Sequence, residues 1–422
     1  MEIWKTLLEG LGMNCRYCKS KLKHLVVDLG MSPLANSYLN SRLLLKSEPF
    51  YPLRVLICEK CLLVQLGDDV EKPKNIFSNY AYFSSYSETW LKHIEDFTKK
   101  VVERFSFDSE SQIIEIASND GYLLQYFKKM GFPILGIEPA SNVAKVAKKK
   151  GIPTLNKFFG LETAKALVKR KKQADLIIAV NVFPHVPNLI DFILGLKKLL
   201  RSNGILIIQF STYMLPFLQH TYFDSIYHEH FFYFSLLSIQ KILSSKDFEI
   251  FDVEELPIHG GSLRVFVKHK KNKELKINQN VKNLIKKELS YGLGKILIYK
   301  KFSEQVNLSK KNILKFFIKA KSENKKIVCY GAPAKGNTML NFCGIRKDFV
   351  DYTVDISPHK QGLFLPGTHI PIMKPSKIRQ TKPDYLVILA WNLKNEIMEQ
   401  TSYIRKWGGK FVVLTPEVEI YK

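Results

Sequence analysis

Tyr227, His228, Glu229 and His230 stand side by side in the stretch "FDSIYHEHFFYFS", with aromatic residues on both flanks. Titratable groups this dense in so apolar a run point to proton handling. A histidine has its ordinary pKa near the pH at which a general base works, and a tyrosine hydroxyl can donate to a developing oxyanion. A neighbouring carboxylate can fix a histidine's tautomer and stabilise its charged form. Two alternatives compete. His228 and His230 could begin a catalytic metal site, but open zinc sites need three protein ligands and no third is evident nearby. They could also be hydrogen-bonded core histidines. Geometry separates the roles: in an extended chain alternate residues face opposite sides and His228 points away, whereas in a helical turn Tyr227 and His230 share a face.

A second cluster lies near the N-terminus. "CRYC" (Cys15, Cys18) and "CEKC" (Cys58, Cys61) are two C-x-x-C knuckles, and the remaining cysteines, Cys329 and Cys343, are remote. Two knuckles supply four thiolates, which closes a tetrahedral Zn²⁺ shell with no open position, so the metal is expected to be structural. A pair of redox dithiols is the competing reading.

A third pattern is "IIEIASNDGYLLQYFKKMGFPILGIEPA". Its spacing predicts a strand over Ile113–Ala117, a small-residue turn, a helix over Tyr122–Met130, and a second strand over Pro133–Ile137 ending in Glu138. The turn lies at the carboxyl end of the first strand, where open α/β sheets bind ligands. It lacks the G-x-G-x-x-G cradle of a dinucleotide site, offering only Gly121 with Asn119 and Asp120. An acid at the turn and another on the next strand suit a nucleoside ligand without a phosphate there, and Glu138 could accept both ribose hydroxyls. S-adenosylmethionine is such a ligand; a degenerate dinucleotide fold is the alternative. Cofactor contacts are expected from Glu115, Ala117, Asn119, Asp120, Gly121, Tyr122, Glu138 and Asn181.

These residues need elements to hold them. Strand-like "ADLIIAVNVF" and "GILIIQFS" follow, separated by helical patterns, and "FEIFDVEELP" with "SLRVFVKH" reads as a closing hairpin. Alternating strands and helices imply an α/β, mainly parallel, doubly wound sheet. A lysine-rich helical stretch spans about 273–324. A second α/β series then runs through "KKIVCYGAPAKGNTML", "VDYTVDIS", "PDYLVILAW" and "GGKFVVLTP". Three units are expected: a zinc-binding domain over 1–72, a central α/β domain over 73–272, and a second, Rossmann-like α/β domain over 273–422. In the last, "YGAPAKGNTML" opens a helix and could hold a diphosphate at its N-terminus with Lys335 and Gly336. Arg264 of "HGGSLR" and Lys360 of "PHKQG" are candidates for the same ligand.

The chain has 422 residues, 46% hydrophobic and 24% charged, with a formal net charge of +25. No apolar run reaches the ~20 residues of a membrane span, and the N-terminus is a poor secretory signal, so a cytoplasmic protein is expected. A monomer is the default expectation, though no sequence feature reports oligomeric state. The lysines are scattered in short runs, which reads as solvated surface and not as a nucleic-acid patch.

The motifs together resemble the three-domain sugar C-methyltransferases, a family that includes nucleotide-hexose C-3 methyltransferases of deoxysugar biosynthesis. The resemblance rests on "CRYC", "CEKCLLVQLG", "YAYFSSYS", "IIEIASNDGYLLQYF", "GIEPASNVA", "NVFPHVPN", "FDSIYHEHFFYFS", "HGGSLRV", "YGAPAKGNTMLNFCGI" and "PHKQGLFLPGTHIPI". It implies a zinc-binding N-terminal domain, a central class I S-adenosylmethionine domain, a C-terminal Rossmann-like domain, and a nucleotide-linked 4-ketosugar substrate between them. One departure is Ala117, where many methyltransferase loops carry glycine; its methyl group is expected to crowd the cofactor slightly. Methyl transfer to a sugar carbon requires removal of a proton beside a carbonyl. The expected roles are therefore His230 as base, Glu229 orienting or charging it, and Tyr227 donating to the enolate oxygen. The resemblance adds His185 and a tyrosine of "YAYFSSYS", Tyr82, with Tyr80 as the alternative. Two other classes compete, a nucleic-acid methyltransferase and a non-catalytic zinc-organised binding protein. The first would show an N-P-P-Y-like loop or an aromatic-basic strip, and neither is present.

Overall fold

The computed structural model describes residues 12–67 and 83–422. Three sheets organise the chain. The N-terminal sheet contains β1 (His24–Ser32), β2 (Tyr51–Ile57) and β3 (Val64–Leu66), antiparallel throughout. The central sheet is built from β4 (Ile113–Ile116), β5 (Ile134–Ile137), β6 (Thr154–Leu155), β7 (Ala174–Val180) and β8 (Leu200–Phe210). A short strand, β9 (Phe232–Tyr233), follows the Tyr-His-Glu-His segment. The hairpin β10 (Phe248–Leu256) and β11 (Ser262–His269) then closes the central sheet, whose order is β10-β11-β8-β7-β4-β5-β6. Its strands from β6 to β8 are parallel, and β11 runs antiparallel to β8, so the expected hairpin is present at the expected edge. Strands β4 and β7, buried on both faces by helices, read as near-continuous apolar runs for that reason.

The C-terminal sheet has the order β14-β13-β12-β15-β16-β17. Its strands are β12 (Ile327–Tyr330), β13 (Thr353–Val354), β14 (Ile372–Met373), β15 (Tyr385–Ile388), β16 (Lys410–Val413) and β17 (Glu419–Tyr421). All pairs are parallel except β16–β17. Between the two large sheets lie helices Gln279–Tyr291 and Ile296–Ser322, the second packed against β1.

The unexpected element is β9. It pairs antiparallel with β3 (Val64↔Tyr233, Gln65↔Phe232) and so belongs to the N-terminal sheet, although it lies within the central segment of the sequence. Two apolar residues in a run of aromatics carry no alternation that could have assigned them to a distant sheet. Among the described residues no helix is long and apolar enough to cross a membrane.

Candidate active site

The "YHEH" segment is neither extended nor helical. It is a tight turn in which the His230 amide donates to the Tyr227 carbonyl at 2.9 Å, and this brings Tyr227 and His230 to one side. Their rings lie 3.9 Å apart between centroids. His230 Nδ1 is 2.8 Å from the Ser225 carbonyl oxygen. A carbonyl only accepts, so Nδ1 carries the proton and Nε2 of the neutral ring is the basic nitrogen. Nε2 faces the Tyr227 hydroxyl at 2.7 Å. Burial holds the His230 pKa well below the usual range, and nearby His185 and Lys335 push the same way. The ring is therefore an unprotonated acceptor at neutral pH.

His185 ends the short 3-10 turn Phe183–His185 beyond β7 and donates Nδ1–H to the Glu229 carbonyl at 2.8 Å. Its ring centroid is 4.8 Å from that of His230. Burial lowers its pKa to about 4, so it too is neutral.

Two expected roles differ from what the structure shows. Glu229 does not orient His230; its Oε1 accepts from Asn36 Nδ2 of the zinc-binding module at 2.6 Å, and burial raises its pKa to about 7. The Ser225 carbonyl takes the orienting role, because the turn aims Nδ1 at the preceding backbone. The Tyr227 proton is directed at His230 and is not available to a substrate oxygen in this arrangement. His228 points away from the site, its Nε2 lying 3.1 Å from the Pro52 carbonyl on β2. Among the described residues the one group that could hold a metal ion is Cys15, Cys18, Cys58 and Cys61. Tyr82 and Tyr80 lie outside the described residues.

Tyr227, His230 and His185 face a cavity of about 540 Å³ between the three sheets. The turns after the central strands form one wall. Ala117 follows β4, Glu138 follows β5 and Asn181 follows β7, and Asn119 and Tyr122 lie beside them. Ala117, Asn119 and Asn181 adopt left-handed backbone with φ of 57°, 48° and 53°. The Glu138 carboxylate accepts the Asn119 amide on one oxygen and the Ala140 amide on the other, both at 2.8 Å. Each oxygen keeps a lone pair for a ligand. Burial raises its pKa to about 7, opposed by those two amides. The turn thus presents a vicinal-diol acceptor and backbone polar groups without a phosphate cradle, which fits the nucleoside of S-adenosylmethionine. Three expected cofactor residues are not in the wall. Glu115 is buried in β4 beneath it, Asp120 pairs with Lys150 at 3.1 Å, and Gly121 supports the turn from behind. Gly121 has φ 79°, and a β-carbon there would meet Ile152 Cγ1 at 2.8 Å.

The opposite wall belongs to the C-terminal sheet. Lys335 reaches the cavity, its ammonium 4.5 Å over Trp391 and 3.5 Å from the His259 carbonyl; burial lowers its pKa against the charge of Asp224. Lys360 also lines it but bonds the Ala332 carbonyl at 2.9 Å. Arg264 does not reach the cavity. Its guanidinium is tied to Glu254 at 2.7 Å and to Gln209 at 2.8 and 3.0 Å, and lies 3.9 Å over Phe97. Gly336 is a packing residue, since a β-carbon there would meet Leu389 Cβ at 2.9 Å. Sequence reasoning missed Asn36, His259 and Asp355, all in the lining. Asp355 was findable, because it ends "VDYTVD" as Glu138 ends "PILGIE".

The knuckle cysteines meet as their spacing requires. Cys15 Sγ is 3.6 Å from Cys61 Sγ and Cys18 Sγ is 3.4 Å from Cys58 Sγ, none in a disulfide. Tetrahedral zinc at ~2.3 Å from each sulfur separates ligands by ~3.8 Å, so the cage fits the ion.

The chain is 30% identical to the C-methyltransferase NovU of Streptomyces niveus over 96% of each chain. It belongs to the C-methyltransferase family. Family models match consecutive parts: a zinc binding domain at residues 15–77, "Methyltransferase domain" at 90–253 and "C-methyltransferase C-terminal domain" at 257–416. A shorter match, 27% identical over 27% of this chain and 49% of the relative, is to the ubiquinone biosynthesis O-methyltransferase of Rickettsia canadensis. Solved structures with similarity include magnesium protoporphyrin IX methyltransferase of Synechocystis PCC 6803, at 14% identity and TM-score 0.32 over 42% of this chain and 78% of that one. An S-adenosylmethionine-dependent methyltransferase of Clostridium acetobutylicum gives 10% identity and TM-score 0.33 over 42% and 92%. This C-methyltransferase is thus an S-adenosylmethionine-dependent enzyme whose zinc-binding domain carries a four-cysteine cluster. The nucleic-acid alternative draws no support from the near-full-length relative.

Proposed function

We propose that the enzyme methylates the carbon next to the ketone of a nucleotide-linked ketosugar. The observation that carries this reading is the shared cavity, where a nucleoside-binding wall, a neutral Tyr227–His230 pair and the buried cation Lys335 face one another. S-adenosylmethionine, when bound, supplies the electrophilic methyl group. The chain's own work is to make the sugar carbon nucleophilic. The Tyr227 oxygen accepts the proton leaving carbon as its own proton passes to His230 Nε2, and the Ser225 carbonyl holds the resulting imidazolium by its Nδ1–H. Low polarity around both rings keeps His230 unprotonated beforehand. Lys335 provides the positive charge for the anionic part of the substrate.

The test is incubation with S-adenosylmethionine and a panel of nucleotide-linked 4-ketohexoses, with mass spectrometry for a gain of one methyl. Tyr227→Phe and His230→Ala are each expected to lower kcat by ~100-fold or more while cofactor affinity stays nearly unchanged. Transfer to none of the ketosugars would overturn the reading. Retained deuterium exchange at the carbon in Tyr227→Phe would leave His230 as the direct base and remove the relay.

A further inference from the structure

A positive charge held against an apolar wall needs an opposing charge to stay ionised, and Lys335 meets one through an aromatic ring. Its ammonium lies 4.5 Å over the Trp391 ring. The Trp391 indole N–H in turn donates to Asp224 Oδ2 at 2.6 Å. Asp224 is fully buried in the 3-10 turn Phe223–Ser225. Trp391 is fixed by further contacts. Tyr222 stacks on it at 4.5 Å between centroids, and Gly260 approaches so closely that a β-carbon there would meet Trp391 Cη2 at 2.2 Å. A carboxylate on the N–H makes the ring more electron-rich and a better partner for a cation over its face. The helix that carries Lys335, Ala334–Cys343, is bonded to the same segment, with Thr338 Oγ1 donating to the Ile226 carbonyl at 2.8 Å. Between these two ties lies Ser225, whose carbonyl holds His230 Nδ1. The titratable groups that act on Lys335 from the elements packed against it are Asp224, His230 and His259. Burial keeps both histidines neutral, so the opposing charge is that of Asp224.

We propose that Asp224 is a positioning residue: acting through Trp391, it keeps the Lys335 ammonium charged and aimed into the cavity, in register with His230. The inference rests on the reading that Lys335 meets the anionic part of the substrate, and it adds what holds that cation ready. Asp224 itself touches no substrate, because the indole stands between its carboxylate and the ammonium. Without the carboxylate, burial acts on Lys335 unopposed and drives it toward the neutral amine.

The zinc-loaded enzyme, saturated with S-adenosylhomocysteine, is titrated calorimetrically with inorganic diphosphate at increasing pH. Asp224→Asn keeps an acceptor for the indole N–H and removes the charge. At neutral pH it is expected to bind diphosphate ~10-fold more weakly than the parent, the size of one weakened contact to a charged group. Its binding should also vanish at a lower pH than the parent's, because the ammonium is lost sooner. Trp391→Phe keeps a ring under the cation but has no N–H to reach Asp224, and a loss of ~3-fold or more is expected. In a Lys335→Gln background, Asp224→Asn should change the residual affinity no further, an outcome that a merely structural role would not give. Affinity for S-adenosylhomocysteine should stay unchanged throughout. Diphosphate bound as tightly by either single variant as by the parent, an unmoved pH limb, or an equal loss in the Lys335→Gln background overturns the proposal. So does a parent enzyme that binds no diphosphate, and if Asp224→Asn does not fold, Trp391→Phe decides alone. Ketosugar methylation without the Lys335-dependent loss would sink this inference and leave the proposed function standing. The loss in an enzyme that methylates no ketosugar would do the reverse.

Discussion

The cysteine cage and the Tyr227–His230 turn are both small clusters of reactive side chains, yet they are specified differently. In the cage, each C-x-x-C knuckle is a local turn, and the strands between bring two such turns together. In the Tyr227–His230 turn, residue types are local but several side-chain partners come from distant segments. Pro52 takes His228, Asn36 takes Glu229, and the carbonyls of Ser225 and Glu229 fix the two neutral rings. Two of those partners, Pro52 and Asn36, belong to the zinc-binding module. Through β3 and β9 the zinc-binding module is tied directly to the segment that carries the proposed catalytic groups.

That dependence can be broken directly. Cys58→Ser, or removal of zinc with a chelator, is expected to cut methyl transfer by ~100-fold or more, since a shift of about 1 Å at reacting groups costs that much. Cofactor affinity should change little, because its wall is built on β4, β5 and β7. Full activity in metal-free protein would separate the two regions. Arg264→Ala comes next in size. The guanidinium is 5% exposed and serves Glu254, Gln209 and Phe97, so the expected loss is about 2–3 kcal/mol in chemical denaturation. The discount below a fully buried pair reflects the half-exposed Glu254, whose charge water can screen. The KM for substrate should be unchanged; a rise with stability intact would return Arg264 to the phosphate site.

The same contrast explains what the sequence made legible. Spacing alone gives the knuckles, the alternating strands and helices, the β10–β11 hairpin, and the acid after β5, since each depends on periodicity or on neighbours along the chain. It does not give β9's sheet, the partner of Glu229, or the commitment of Arg264, because these depend on which segments meet in space. Arg264 illustrates the limit: an arginine three residues after a glycine pair has the chemistry for phosphate, and only the register Arg264↔Gln209 and Glu254↔Arg264 shows that β8 and β10 claim it.

Glu229 offers a test by pH. Its folded pKa, about 7, stands above the ordinary 4.5 because it is buried. The proton is therefore bound more tightly in the folded state. The stability this contributes is fully present below 4.5 and is lost as pH rises through 7. Glu229→Gln removes the titration, so its stability relative to the parent should improve between pH 5 and pH 8 by about 2 kcal/mol, read by denaturant melts at both values. The absolute sign at either pH is set by the amide's fit beside Asn36, but the difference is set by the proton. No change with pH would mean that the carboxylate is already solvated or paired when folded, and that the two regions are less tightly packed than Asn36 implies.

The smallest effect concerns Ala117. Its φ of 57° is one that glycine adopts freely and alanine only with strain of ~1 kcal/mol. Glycine would relieve that strain but would lose ~0.5–1 kcal/mol to the greater freedom of its unfolded chain. The two nearly cancel, so Ala117→Gly should move stability by less than ~0.5 kcal/mol. Cofactor affinity distinguishes the readings. If the methyl group crowds the cofactor, the dissociation constant falls clearly on its removal. If the turn is placed by the Ala117 amide donating to the Ile137 carbonyl and the Asn119 amide donating to Glu138, it stays within ~2-fold. The second outcome is expected, because those two bonds hold the turn on either side of the methyl group whichever residue stands there.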